Sequence, residues 1–563
     1  MLDPNLIPIG IDDFGYLRQT GLLYVDKTHF AKRLIDHAGV QVFLFPRPRR
    51  FGKTLAMTML RAFFEKSPES RSAWFEGLSV WEAGPRYREH HQKYPVIYIT
   101  LKDVKESSAE AFFLKIKSRL GDLFQEHRGL LEGDTLSGEE RERFQAIMDG
   151  SANSALYEDA LFHLCRYLHR AHGERVVLLI DEYDTAIHEA YLLGFADPIL
   201  AFFRRFLGSA LKGNPHLFKA VLTGILRVSK ESIFSDLNNL SVYSILHPDY
   251  ANVFGFTESE TAALLEQAGL SEQSGTVRDW YNGYIFGGQV MYNPWSLLNF
   301  MASGGVAKTY WLNTSANSLI KEMLMAHAAH VGNEMETLLS GGEVERRLQE
   351  NTALGELAHD DDVLFSLLTF AGYLKARALP SEGHTLFSLS IPNREVREVY
   401  TSTFRAWLKS GLRRQGGDVE RLLSALLKGD AKGTERQLQK LSLATFSYHD
   451  TASPDPEKFY HGFVLGLLTT LEPVYRVRSN RESGDGRPDV MVLPVDKDKP
   501  GVVLELKTAE PDEQTLEQAL DEGEAQMKAK AYGTELRASG VGSLVGMVVA
   551  FDGKSVRVRR VEL

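Results

Sequence analysis

Four short, almost uninterrupted apolar runs punctuate the first 250 residues: QVFLF (41–45), PVIYITL (95–101), RVVLLI (175–180) and FKAVLTGI (218–225). Runs of this length without alternation predict parallel strands buried on both faces. Between them lie stretches with helical spacing, such as LAMTMLRAFFEK (55–66). Together they predict helices covering a parallel sheet. The pattern changes near residue 257, where TESETAALLEQAGL reads as a capped helix. DWYNGYIFGGQVMYNPWSLLNFM (279–301) reads as an aromatic loop and a helix starting near Pro294. Residues 310–400 read as mostly helical, with a strand in TLFSLSIPN (385–393). A second α/β pattern opens near 455, with a helix (457–471), two or three strands (474–507), a helix (513–535) and a closing strand pair (543–561). RRQGGDVE (413–420) and HDTASPDPE (449–457) mark boundaries. The expected organisation is an α/β domain over 1–246, a mostly helical coupling region over 247–450 and an α/β domain over 451–563.

Composition narrows the class. A chain of 563 residues exceeds one ordinary domain. With 64 basic and 74 acidic residues the net charge is −10, which argues against a chain basic throughout and leaves room for a local basic groove. The single cysteine, Cys165, allows no intrachain disulfide and fits a reducing compartment. MLDPNLIPIG makes a poor signal peptide, and runs such as FVLGLLTTL fall far short of the ~20 residues a membrane helix needs. The expectation is a cytoplasmic protein with no membrane partner.

The strand QVFLF runs into FPRPRRFGKTL (45–55), and a helix follows. That is the context of a phosphate loop, G-x-x-x-x-G-K-[ST], but Arg47 stands where its first glycine belongs. Pro46 and Pro48 have no N–H to give a phosphate, so the donors must come from Arg49, Arg50, Phe51, Gly52, Lys53 and Thr54. Lys53 is placed to reach the outer phosphates of a nucleotide and Thr54 to hold Mg²⁺. VVLLIDEYD ends in Asp181, a metal-holding acid, and Glu182, which orients and deprotonates a water. Thr223 and Arg227, at and beyond the end of FKAVLTGI, are candidates for sensing or neutralising phosphate charge. A bare GKT also occurs in ordinary surface loops; two acids ending a second strand in the right order are less common.

Near the C-terminus GRPDVMVLP (486–494) and GVVLELK (501–507) flank the polar turn VDKDK. A hairpin centred near 497 puts Asp489 opposite Leu506, between Glu505 and Lys507, which share a strand face. Two hard carboxylates suit Mg²⁺, and a lysine beside them positions or polarises a nucleophile. The bland alternative is an exposed hairpin with a surface salt bridge. Glu457, Gln526 and Tyr532 on neighbouring helical segments, and Arg476, Arg478, Arg481 and Arg487, are supporting candidates for this site and for phosphate contact.

IPIGIDDFGYLR, YVDKTHF, FPRPRRFGKTL, LLIDEYDTAI, LTGILRVSKESIFSDLNNL, WYNGYIFGG, YNPWSLLNF, YWLNTS, LSIPNREV and FYHGFVLGLL resemble a two-part bacterial family. Its N-terminal part is AAA-ATPase-like and its C-terminal part resembles the PD-(D/E)XK nuclease superfamily. The resemblance implies a P-loop NTPase followed by a restriction-endonuclease-like domain, and RPRRFGK is the family's own form of the loop. It implies that Lys53, Thr54, Asp181 and Glu182 serve ATP and Mg²⁺. It maps the nuclease acids to Asp489 and Glu505, the lysine to Lys507 and the helical glutamine to Gln526. The expected function is an ATP-driven switch coupled to a Mg²⁺-dependent DNA endonuclease, set in defence against foreign DNA. The alternative is a nucleotide-gated module that grips nucleic acid or protein without cutting. Self-association is left open.

Overall fold

A computed structural model describes residues 2–225, 233–234, 237–311, 331–339, 341–350, 360–380, 385–400, 416–445, 456–468, 471, 474–479, 488–509, 514–530, 532, 536–537 and 540–563. The chain divides into two compact units, Met1–Ile320 with Glu345–Val396, and Lys321–Val344 with Arg397–Leu563. Residues 247–320 and 345–396 thus fall in the first unit and 397–450 in the second.

The four apolar runs form strands β1 (Val42–Pro46), β2 (Val96–Thr100), β3 (Val176–Asp181) and β4 (Leu217–Gly224). A fifth, β5 (Leu240–Val242), is shorter than the pattern needed to announce it. They make one parallel sheet in the order β2-β3-β4-β1-β5. Val42–Phe45 and Val176–Ile180 are fully buried, because helices including Lys53–Phe64 and Ala160–His172 cover the sheet. Pro46 pairs with Gly224 and Ile180 with Leu222. The carboxyl ends of β1, β3 and β4 therefore meet at one edge, where open α/β sheets bind ligands.

The middle region is helical and adds two small sheets. Strands β6 (Phe256–Thr257), β7 (Tyr284–Phe286) and β8 (Gln289–Tyr292) form one, in the order β6-β8-β7. Thr257 and Glu260 close a capping box on the helix Glu258–Ala268, as the sequence predicts. The helix Pro294–Ala302 starts where expected, capped by Asn293. Strands β9 (Val344–Arg347), β10 (Lys375–Leu379) and β11 (Leu386–Ser390) form the second small sheet. The sequence predicts only β11. KARAL in β10 is built of helix formers, and its extended form comes from antiparallel pairing with β11, so tertiary pairing overrides propensity.

In the second unit β12 (Tyr475–Ser479), β13 (Val490–Pro494), β14 (Gly501–Thr508), β15 (Leu544–Asp552) and β16 (Ser555–Val561) lie side by side in chain order. Only β14 and β15 are parallel, and the helix Leu516–Ala529 lies between them in the chain. One face of the sheet packs on helices Gly416–Leu427, Ala431–Thr445 and Pro456–Leu468, the other on Leu516–Ala529. Among the described residues no helix is long and apolar enough to cross a membrane.

Candidate active sites

At the end of β1 the Arg47 amide donates to Gly224 O at 2.9 Å, extending the ladder to β4 by one bond. The side chain then turns inward and is fully buried. Its Nη1 donates to Pro46 O at 2.9 Å and Tyr243 O at 2.6 Å, and its Nη2 to Tyr250 O at 3.1 Å. The guanidinium lies between the rings of Phe254 and Phe286, 5.4 Å from each centroid. Burial pulls its pKa down to about 9. Arg47 is therefore a buried anchor that ties the loop to Tyr243 and Tyr250. The left-handed residues of the loop come later, Arg50 at φ 65° and Gly52 at φ 81°. Phe51 packs edge-on against Tyr284 at 4.9 Å and against Phe286 at 5.1 Å.

Lys53 opens the helix after the loop and is buried, its Nζ donating to Arg47 O at 3.2 Å and Pro48 O at 3.1 Å. Burial lowers its pKa, while the charges of Glu182, Asp181 and Asp184 hold it up. The Thr54 hydroxyl donates to Asp181 Oδ2 at 2.7 Å and the Thr223 hydroxyl to Asp181 Oδ1 at 2.5 Å. Asp181 is fully buried, which raises its pKa against those two bonds. Thr223 thus stands behind the acid. Glu182 holds φ 53°, an uncommon backbone state for a non-glycine residue and one that recurs at functional sites. Its Oε2 accepts from Thr185 Oγ1 at 3.1 Å. Arg49 is half-buried, close enough for its charge to act on Lys53. Asp184, unweighted in the sequence, accepts the Ile225 amide at 2.8 Å and lies 3.6 Å from buried His188. Arg227 lies outside the described residues. A hydroxyl and a carboxylate at these strand ends form a hard oxygen set that fits Mg²⁺.

The second site forms around β13 and β14. Their ladder pairs Val490 with Leu504 and Met491 with Val503, one residue off the expected register. The cause is the turn, in which Asp496 folds back to accept the Asp498 amide at 3.2 Å and the Lys499 amide meets Asp496 O at 3.1 Å. Asp489 still reaches Leu506, through a 2.7 Å bond from the Leu506 amide to Asp489 Oδ2. His461 Nε2 lies 3.0 Å from Asp489 O. Glu505 is 1% exposed and its Oε2 is buried with no hydrogen-bond partner. Its Oε1 lies 3.3 Å from Lys507 Nζ. Burial, then the Asp489 charge, push Glu505 up to about 7, with Lys507 opposing. Burial also raises Asp489.

Lys507 Nζ donates to Gln526 Oε1 at 2.8 Å, and Gln526 Nε2 donates to Tyr532 Oη at 2.9 Å. The helix Leu516–Ala529 approaches closely enough for this because Gly523 has no side chain: a Cβ there would lie 2.5 Å from Val548 Cγ1 and 3.3 Å from Lys507 Cγ. Arg559 on β16 grips the same helix through Glu517 at 2.7 Å, Asp521 at 2.5 Å and Glu524 at 3.1 Å. Arg476 is exposed and Arg478 half-buried on β12. Arg481, Arg487 and the Glu457 side chain lie outside the described residues. Among those described, no group of three or more His, Cys, Asp or Glu side chains could hold a metal. Two carboxylates, one of them with an orphaned buried oxygen, nevertheless suit Mg²⁺, which keeps several of its waters.

Residues 8–234 match a family model described as a predicted AAA-ATPase, and residues 455–561 match the PD-(D/E)XK nuclease superfamily. A protein of Azotobacter chroococcum mcd 1, named only as an uncharacterized protein in the vnfD 5′ region, is 29% identical over 564 residues, 96% of this chain and 98% of its own. No solved structure matches the chain significantly.

Two outcomes follow. Arg47→Ala leaves three carbonyls and a cavity unfilled, so the first unit should lose about 3 kcal/mol, read as a lower denaturant midpoint. An unchanged midpoint would contradict the anchoring role. For Glu505 the folded pKa of about 7 lies above its ordinary value of 4.5, so the folded state binds the extra proton between them. Without added metal, the stability tied to this proton is fully present at low pH and lost as pH rises through about 7, on the order of 2 kcal/mol. Glu505→Gln should remove that loss, and Mn²⁺ should offset it in the native chain; pH-resolved melting checks both.

Proposed function

We propose that this chain, which joins a predicted AAA-ATPase domain to a PD-(D/E)XK nuclease superfamily domain, hydrolyses ATP at the first site and cuts DNA at the second, each with Mg²⁺. The domains would run over 1–246 and 451–563, with 247–450 as the coupling region. The observation that carries the reading is Glu505: a carboxylate 1% exposed, with one oxygen lacking a hydrogen-bond partner, beside a second acid and a lysine. A buried anionic oxygen is costly unless a cation shares it.

At the first site Lys53 neutralises phosphate charge, the Gly52–Thr54 amides cradle it, and Glu182 takes the proton of the attacking water. Asp181 and Thr54 hold Mg²⁺. Arg49, Arg50 and Phe51 line the loop, and Thr223 fixes the Asp181 carboxylate. Arg227 supplies further positive charge. At the second site Asp489 and Glu505 hold Mg²⁺, Lys507 orients the nucleophile and Gln526 aims the lysine. When bound, Mg²⁺ lowers the pKa of a water and neutralises phosphate charge. A nucleic acid is favoured as the substrate because β12 presents Arg476 and Arg478 on the sheet that carries the acids, and DNA is the form assigned to it here. The setting is cytoplasmic, and defence against foreign DNA accounts for a nuclease kept under nucleotide control.

Paired assays on the full chain, ATP turnover and plasmid nicking with Mg²⁺ or Mn²⁺, test this. Lys53→Ala should lower ATP turnover at least ~100-fold. Lys507→Ala should abolish nicking and leave ATP turnover intact. Nicking that persists in Asp489→Ala, or never appears on any DNA, would overturn the nuclease half and leave a nucleotide-gated binding module.

A further inference from the structure

The sequence strings YNPWSLLNF, YWLNTS and LSIPNREV take no part in either chemical site. In the first unit Trp295, Ser296, Tyr310, Trp311 and Glu395 of these strings gather near the phosphate loop. Arg50 lays its guanidinium over the Trp295 ring, 3.8 Å from the centroid, and its Nη1 is buried without a hydrogen-bond partner. Trp295 Nε1 donates to Tyr310 O at 3.1 Å. Glu395 is fully buried and joins three donors. Its Oε2 accepts the Ser296 hydroxyl at 2.7 Å, and its Oε1 accepts the amides of Tyr310 at 2.6 Å and Trp311 at 2.7 Å. The Trp311 ring lies 4.8 Å from Tyr373. Beside Tyr373, Gly372 comes so close to the loop that a Cβ there would sit 2.9 Å from Pro48 Cβ. The loop therefore touches both ends of one buried cluster, through Arg50 and through Pro48.

The place of the cluster along the chain matters as much. The chain leaves the first unit after Ile320 and again after Val396. Glu395 stands directly before the second crossing, and Tyr310 and Trp311 shortly before the first. A carboxylate that ties backbone amides at 310–311 to position 395 thus joins the two strands of chain that lead out of the ATPase unit.

We propose that the Arg50–Trp295 stack and the Glu395 carboxylate form a relay, through which nucleotide in the phosphate loop resets the backbone at Tyr310 and Trp311. The relay rests on the reading that this loop binds ATP. An anion brought to the loop draws on the guanidinium's unused donor and changes its hold on Trp295. Trp295 is hydrogen-bonded to Tyr310, and its neighbour Ser296 to Glu395, so its shift passes to the amides that Glu395 holds.

Hydrogen exchange on the full chain, with and without saturating ATPγS and Mg²⁺, tests the relay; calorimetry on the same samples measures nucleotide binding. The Tyr310 and Trp311 amides of the wild type should slow about tenfold with nucleotide. Trp295→Leu should bind nucleotide and show no such change. Ser296→Ala, which removes the hydroxyl that Glu395 holds, should also bind nucleotide and lose the slowing. Binding without slowing in the wild type, or slowing that persists in both variants, overturns the relay and leaves the ATP site standing. Absence of binding in the wild type overturns both.

Discussion

Burial of charge at strand ends is the constraint on which both sites depend. An ion removed from water must find partners or give up its charge. Around the phosphate loop three buried ions have found partners: Arg47 three carbonyls, Lys53 two, Asp181 two hydroxyls. At the second site the balance is left incomplete, because one Glu505 oxygen stays unpaired. Satisfied charges fix a shape, and the unpaired carboxylate oxygen at Glu505 is the observation behind the proposed second cation site.

This constraint explains how the loop dispenses with its first glycine. The turn that a glycine would allow is replaced by a buried arginine that fastens the chain from below. The backbone freedom is moved to Arg50 and Gly52. Apart from Pro46, the partners that do the fastening, Tyr243, Tyr250, Phe254 and Phe286, lie beyond the stretch that matches the predicted AAA-ATPase family, which ends at residue 234. The loop's geometry thus belongs to the whole first unit. Gly255 shows the same dependence, since at φ 79° a Cβ there would lie 2.8 Å from the Phe51 ring.

Legibility from sequence followed the range of the interactions. Strands β1 to β4 announced themselves because burial on both faces writes a continuous apolar run. Lys53, Thr54, Asp181 and Glu182 could be picked out as candidates because the first two open the helix after β1 and its loop and the other two stand at the end of β3. Asp489, Glu505 and Lys507 come together as expected despite a register off by one residue, since the Asp496 turn moves the pairing and leaves the face shared by Glu505 and Lys507 unchanged. What escaped was long-range: the inward turn of Arg47, the extended form of KARAL, and the Trp295–Glu395 cluster. Each is set by a partner far away in the chain, and no local pattern encodes it. Gly523 was equally silent, because only the packed helix reveals how little room stands above Lys507.

The central claim is that one polypeptide carries two separate cation centres. Anomalous scattering from crystals of the full chain grown with Mn²⁺ and ADP tests it most directly. The account predicts two manganese peaks, one beside Thr54 and Asp181 and one between Asp489 and Glu505. A map with no peak at the Asp489–Glu505 pair, or none at the loop, would contradict it.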